Sequence, residues 1–367
     1  MLENQETSTL LDVLIIGAGP AGIAAGVEAR TAGIERILIL EKGPKHSYSI
    51  EKLYHPNKRV DKVYLGQDLD CVGAVCIVDG TRETVLDTLD AFIDQYRLPV
   101  QCNTEVASIR RREEDGLFEV TDTRGKLQLS KTVIIAIGVY GRPNKPGYAV
   151  PASLKGQVSF DLTQEPAEGE SVLVVGGGDT ALEYVSFLYS RHPVTLAYRG
   201  AAFEKANPIN REILSGLEGK GQAAVWRQAD IASLLDTGSD PRVQATFKDG
   251  RVASFNHILF AIGGATPEGF LKQAGVELEG KRPQVNDHFA TSVPGLFLAG
   301  DLVAKGKGTI VKAFNTGHRV VLRRPRPASV AMRRPRSTSR RNRAPGAAGR
   351  RSRTGTRTPR CRWGRGP

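Results

Sequence analysis

With 367 residues, 40% apolar and 25% charged, the chain is long enough for two to three domains around buried cores. No apolar run approaches the ~20 residues that span a bilayer, and the polar start through Thr9 leads into a core strand, not a secretory signal; the expected compartment is the cytoplasm. The net charge of +12 does not mark a nucleic-acid binder: 16 Arg and no Lys, Asp or Glu lie in 322–367, which leaves −4 for residues 1–321.

The first predicted unit spans 12–41. An apolar strand enters the turn Gly17-Ala-Gly19-Pro20-Ala21-Gly22, a small-residue helix follows from Pro20 to about Thr31, and a second strand, Ile37–Leu40, ends at Glu41 and Lys42. This is G-x-G-x-x-G in its required setting. Gly17 permits the tight turn, Gly19 lets the backbone approach a pyrophosphate, and Gly22 lets helix and strand pack closely. The helix N-terminus offers free N–H groups to phosphates. Glu41 can accept hydrogen bonds from ribose hydroxyls, so this unit is expected to hold a dinucleotide such as FAD.

Residues 42–62 carry Lys45, Lys52, Lys58 and Lys62 and are expected to form a solvated surface loop facing the cofactor's edge. Cys71 and Cys76 follow, with four residues between them. Two readings stand: an active dithiol that takes electrons from a flavin, or two small buried residues packing as apolar groups. On a helix the two thiols would project about 140° apart, and a structural disulfide is not expected in a cytosolic protein. Cys102 reads as core packing. A hairpin, 118–122 with 126–129, leads to the continuous apolar run 133–138, a strand buried on both faces.

The same plan then recurs. A strand from 171 enters Gly176-Gly-Gly178-Asp179-Thr180-Ala181, a helix runs to about Tyr189, and the strand Val194–Tyr198 ends at Arg199, where no acid stands. Arg can pair with a 2′-phosphate that a carboxylate would repel, so this unit is expected to hold NADPH in preference to NADH. A second hairpin turns at Lys248-Asp-Gly250, and a second apolar run closes at Gly263. Farther on, a short strand within 295–301 ends in Gly300-Asp301. The six His show no spacing that implies a metal or a triad; His318, on the last predicted helix, could reach the flavin region, but a solvated or capping role is expected.

Together these motifs, over about residues 10–321, resemble flavoproteins with two dinucleotide-binding domains, nearest the thioredoxin reductase-like branch of the pyridine nucleotide-disulfide oxidoreductases. The resemblance implies an α/β fold of two Rossmann-like three-layer domains, the NAD(P)H domain inserted into a discontinuous FAD domain. The FAD domain would comprise 1–147 and 283–321, and the NAD(P)H domain 148–282. It implies that Asp301 bonds the ribityl chain and that Thr309 and Ile310 open the last helix beside the isoalloxazine. Gly138 and Gly263 would mark the crossovers, and Val106 would lie near the adenine. It also implies a homodimer, and neither nucleic acid nor membrane as partner of the globular part.

The resemblance divides over the electron acceptor. Thioredoxin reductases carry C-x-x-C shortly before the second fingerprint, and 156–163 has no Cys. Bacillithiol disulfide reductase-like proteins share the Tyr140-containing crossover but place a Cys where Ala21 stands. Glutathione reductase-like enzymes use the Cys71/Cys76 spacing, though on a different segment. The acceptor is therefore a disulfide reached through Cys71 and Cys76, or a small redox protein taken directly, as by the ferredoxin–NADP reductases of this branch. A flavin monooxygenase shares the layout, but its linking His-containing fingerprint is absent, and a non-catalytic nucleotide sensor uses the same fold. The segment 322–367 is expected to be disordered: its Arg, Pro, Gly and Ser content cannot bury enough surface to offset chain entropy. It reads as a basic arm for nucleic acid or lipid, a solvated appendage, or an out-of-frame translation, the last favoured because all 17 Lys precede it.

Overall fold

A computed structural model describes residues 9–62, 69–139, 143–304 and 308–321; the segment 322–367, Tyr140 and Cys361 lie outside the described residues. The first sheet has five parallel strands in the order Leu296–Leu298, Val133–Ile135, Val13–Ile16, Ile37–Leu40, Val100–Gln101. Successive side chains point to opposite faces. Val13, Ile15, Ile39 and Ile134 meet helices, while Leu14, Ile16, Val133 and Ile135 meet a second apolar layer. Both faces are covered, which is why these strands read as unbroken apolar runs.

Helix α1, Pro20–Thr31, sits on the first face. The short α2, Tyr48–Leu53, follows, and then α3, Arg82–Gln95, whose start is fixed by the Thr81/Thr84 capping box. The antiparallel sheet Val106–Arg111, Phe118–Asp122, Leu127–Ser130 covers the other face.

The second parallel sheet runs Val158–Ser159, His257–Phe260, Val172–Val175, Val194–Tyr198, Ala224–Arg227. Helices α4, Asp179–Leu188, and α5, Pro208–Gly219, pack on it. The antiparallel sheet Ile231–Asp236, Val243–Phe247, Val252–Phe255 covers its other face. The chain thus builds one three-layer plan twice.

The two crossovers run side by side. Asn144 N donates to Gly263 O at 2.9 Å, and its side-chain amide donates to Ile262 O and Gly264 O. Gly138 (φ 62°) and Gly263 (φ 83°) turn the chain in the left-handed region at the ends of the two closing strands. Helix α6, Glu268–Gln273, then places Leu271 with Leu14, Ile135 and Leu298. The apolar side of α6 is thus buried in the second apolar layer of the first sheet. Helix α7, Ile310–Arg319, closes on α1, with Gly317 so near that a Cβ would overlap the Ala21 carbonyl oxygen.

One buried group has a consequence for stability. His257, 4% exposed, shares a 2.7 Å hydrogen bond with Ser159 Oγ; burial, helped by nearby His192, pushes its pKa down from 6.5 to about 4. Between those values the unfolded chain binds the proton and the folded chain does not. This contribution is full above pH 6.5 and is lost as the pH falls toward 4, on the order of 3 kcal/mol. Melting curves should show that slope, and His257→Gln should flatten it; an unchanged slope would assign the loss to other groups.

Candidate functional site

A single cleft of about 1900 Å³ is lined by both fingerprints. In its first half the glycines divide by role. At Gly17 (φ 102°) a Cβ would come within 2.5 Å of Ala136 O, and at Gly22 it would overlap Gly17 O, so both are required by the fold itself. Gly19 has φ −80° and nothing within 4 Å of a Cβ position; its open side faces the cleft. That space beside the α1 N-terminus suits a pyrophosphate, as the Gly19 position demands. Pro20 and Ala21 line the same wall.

Glu41 is clamped where a ribose acceptor is needed. Its two oxygens accept from Ala18 N at 2.9 Å and Gly43 N at 2.8 Å, which fixes the carboxylate at the cleft edge beside Lys42. Val106 and Gly138 also line the cleft. At the far end Gly300 (φ 73°) donates to Thr316 Oγ1 at 2.7 Å, a contact the sequence did not suggest. Asp301 next to it is held against Gly308, and burial pushes its carboxyl above the usual carboxylate range. A hydroxyl-rich chain would meet the need of such a desolvated acid for hydrogen-bond partners. Thr309 caps α7 by accepting from Lys312 N at 3.1 Å, and Ile310 faces the cleft. These residues fit an FAD-sized group.

The second half repeats the division. At Gly176 a Cβ would overlap Ala261 O, whereas Gly178 (φ −101°) has nothing within 4 Å and opens on the cleft. The Ala181 methyl lies 3.0 Å from where a Gly176 Cβ would stand, so Ala at the third site adds to the need for Gly at 176. Thr180 lines the cleft. Asp179 is engaged by the protein: its Oδ1 accepts from Asn207 N at 2.5 Å and Asn210 Nδ2 at 3.0 Å, and so it ties α4 to α5. The Tyr198 ring covers Gly177 and stacks on Phe203 at 5.1 Å. Arg199 is exposed on the cleft wall, with Lys205, which the sequence reading missed, also among the lining residues. Gly263 closes the floor.

Two expectations change. The segment 42–62 is solvated only in part: Lys42 and Lys45 are exposed, but the segment contains α2, and the Lys58 ammonium is largely buried, 2.6 Å from Glu183 Oε2 and 4.1 Å from the Tyr54 ring centre. Cys71 and Cys76 are joined in a disulfide, with their Cα atoms 5.6 Å apart on an irregular, non-helical loop, which removes the angular obstacle expected of a helix. That loop is held against α1 and α7. Ala74 N donates to Glu28 Oε1 at 2.6 Å, and Val72 N to Asn315 Oδ1 at 3.1 Å. Neither Cys lines the cleft. His318 turns to Glu28, 2.9 Å away, and not to the flavin region. Cys102 is half-buried with a free thiol that burial pushes up. Among the described residues no group of His, Cys, Asp or Glu could hold a metal, and no helix is long and apolar enough to cross a membrane.

Comparison with known proteins gives a consistent result. The family described as pyridine nucleotide-disulphide oxidoreductase matches residues 14–300. The ferredoxin–NADP reductase 2 of Chloroherpeton thalassium is 28% identical over 317 residues, 82% of this chain and 86% of that protein. The ferredoxin–NADP reductase of Thermus thermophilus is 29% identical over 302 residues, 80% of this chain and 84% of that one. Among solved structures, the bacillithiol disulfide reductase of Staphylococcus aureus superposes with a TM-score of 0.73 at 21% identity, covering 85% of this chain and 97% of that one. The thioredoxin reductase of T. acidophilum gives 0.69 at 20% identity, covering 85% and 97%.

Proposed function

The chain belongs to the pyridine nucleotide-disulphide oxidoreductase family and is an FAD-dependent NADPH oxidoreductase; we propose that it delivers electrons to a small external redox protein of ferredoxin type, without an internal dithiol. The observation that supports this reading is that the Cys71–Cys76 pair, on a loop tied to Glu28 of α1 and Asn315 of α7, is not among the residues lining the cleft both fingerprints share. Ferredoxin–NADP reductases are among its relatives over four-fifths of the chain.

In this reading the protein supplies placement. The α1 N-terminus and Gly19 receive the FAD pyrophosphate, Glu41 the ribose hydroxyls, and Asp301 the ribityl chain. Val106 lies by the adenine, and Thr309 and Ile310 begin the helix beside the ring. Across the cleft, Gly176, Gly178 and the α4 N-terminus receive the NADPH pyrophosphate, and Arg199 the 2′-phosphate. When bound, the flavin supplies hydride acceptance and onward electron release. The surrounding Tyr54 and Ile310 walls limit water in the cleft. A cytoplasmic homodimer belongs to the same proposal; its mass in solution tests the dimer.

Anaerobic titration of FAD-loaded protein with NADPH tests the acceptor. Flavin absorbance should bleach at about one equivalent, with the endpoint unmoved by Cys76→Ser. A need for about two equivalents, reduced to one by Cys76→Ser, would overturn the proposal in favour of a disulfide reductase.

A further inference from the structure

We infer that Lys58 and Glu183 form a charged latch between the two dinucleotide-binding halves, which sets how squarely the nicotinamide meets the flavin. This rests on the reading that the α4 N-terminus holds NADPH.

Lys58 is presented rigidly by the FAD half. Arg82 Nη1 donates to Tyr54 O at 2.9 Å, Arg82 N donates to Lys58 O at 2.8 Å, and Asn57 N donates to the Glu83 carboxylate. Glu183 lies on α4, one turn after its first residue, Asp179. The pair meets at 2.6 Å with side chains only 13% and 18% exposed, and both line the cleft. Burial works against the charge on Lys58, but Tyr54 and Glu183 outweigh it, so its amine titrates above the ordinary lysine value. The other Glu183 oxygen accepts from Asn210 Nδ2 at 3.2 Å, and Asn210 donates to Asp179 at the first turn of α4. A continuous polar chain therefore runs from Lys58 in one half to the NADPH cradle in the other.

The rest of this contact lies on the same face of α4 and is uncharged. Tyr184 Oη donates to Leu53 O at 3.2 Å, and His55 stacks on Phe187 at 4.7 Å. Farther out, Lys52 pairs with Asp161 at 3.0 Å, where it is more exposed. The stacked rings and the single hydrogen bond tolerate sliding; a short, desolvated ion pair does not. Lys58 and Glu183 thus act as positioning residues: the pair fixes α4, and α4 fixes the nicotinamide. A displacement of about 1 Å at the reacting atoms costs on the order of a hundredfold in rate.

The test compares FAD-loaded wild type, Lys58→Met, Glu183→Gln and the exchange Lys58→Glu with Glu183→Lys. The limiting rate of flavin reduction by NADPH is read by stopped flow, and amide hydrogen exchange over 52–58 and 183–188 is read without NADPH. Each single variant should lose about tenfold or more in limiting rate, while half-saturation by NADPH moves less, and both segments should exchange faster. The charge exchange should recover much of both signals. Single variants that match wild type in rate and exchange would overturn the latch, as would a purely half-saturation effect or an exchanged pair as slow as the singles. Wild type that NADPH fails to bleach would overturn the reading of the α4 site instead, and the hydrogen-exchange comparison would still decide the latch.

Discussion

Gly19→Ala protein is expected to fold with a wild-type melting temperature yet lose affinity for FAD by roughly 10- to 100-fold, through overpacking of about 1–3 kcal/mol against the pyrophosphate. The backbone at Gly19 is extended and allowed to any L-residue, and the new methyl group would point into open cleft. Gly22→Ala should behave differently. Its methyl would overlap the Gly17 carbonyl oxygen, which is backbone and cannot rotate aside, so α1 must move off the first strand. A destabilisation of ~3 kcal/mol and flavin-free protein are expected. Thermal melts with and without added FAD, with the ratio of flavin to protein absorbance, separate the two. Equal melting temperatures for both variants would show that the turn yields more easily than its geometry implies. Gly178→Ala offers the parallel test: flavin retained, with the NADPH half-saturation raised by a similar factor.

Reversing the charge at Arg199 should reverse the nucleotide preference. Arg199→Glu is expected to lower kcat/KM for NADPH by roughly 10- to 100-fold, the worth of a charge-assisted hydrogen bond, while the value for NADH holds or rises. Arg199 is exposed, so the wild-type preference should itself shrink as salt is raised. Lys205 shares the cleft wall and can carry part of the phosphate's charge, so the double variant should exceed Arg199→Glu alone. If the NADPH to NADH ratio stays as in wild type at Arg199→Glu, the 2′-phosphate is read elsewhere. Both outcomes are measured with the flavin in place, so a change in FAD retention would be seen as a loss of colour.

The sequence by itself determined the two fingerprints, the bounds of α1 and the strand Ile37–Leu40, both hairpins and the Gly300-Asp301 strand end. Each depends on residues close along the chain: a Gly turn, a capped helix, an apolar strand, a tight reversal. The offsets of Glu41 and Arg199 from their glycines, on which the FAD and NADPH expectations rested, were legible in the same way. What the tertiary structure decided are meetings between distant residues. The partner of Lys58 lies 125 residues on, so no local pattern could distinguish a buried ion pair from a solvated lysine. Thr316 reaches Gly300 only because α7 folds back across α1. The membership of α6 in the first sheet's core depends on where the second crossover delivers the chain, not on its own composition. The Cys71–Cys76 spacing was visible, but whether that pair faced the flavin depended on which side of α1 and α7 its loop docked. Its docking depends on Glu28 and Asn315, distant along the chain, which hold the loop against α1 and α7.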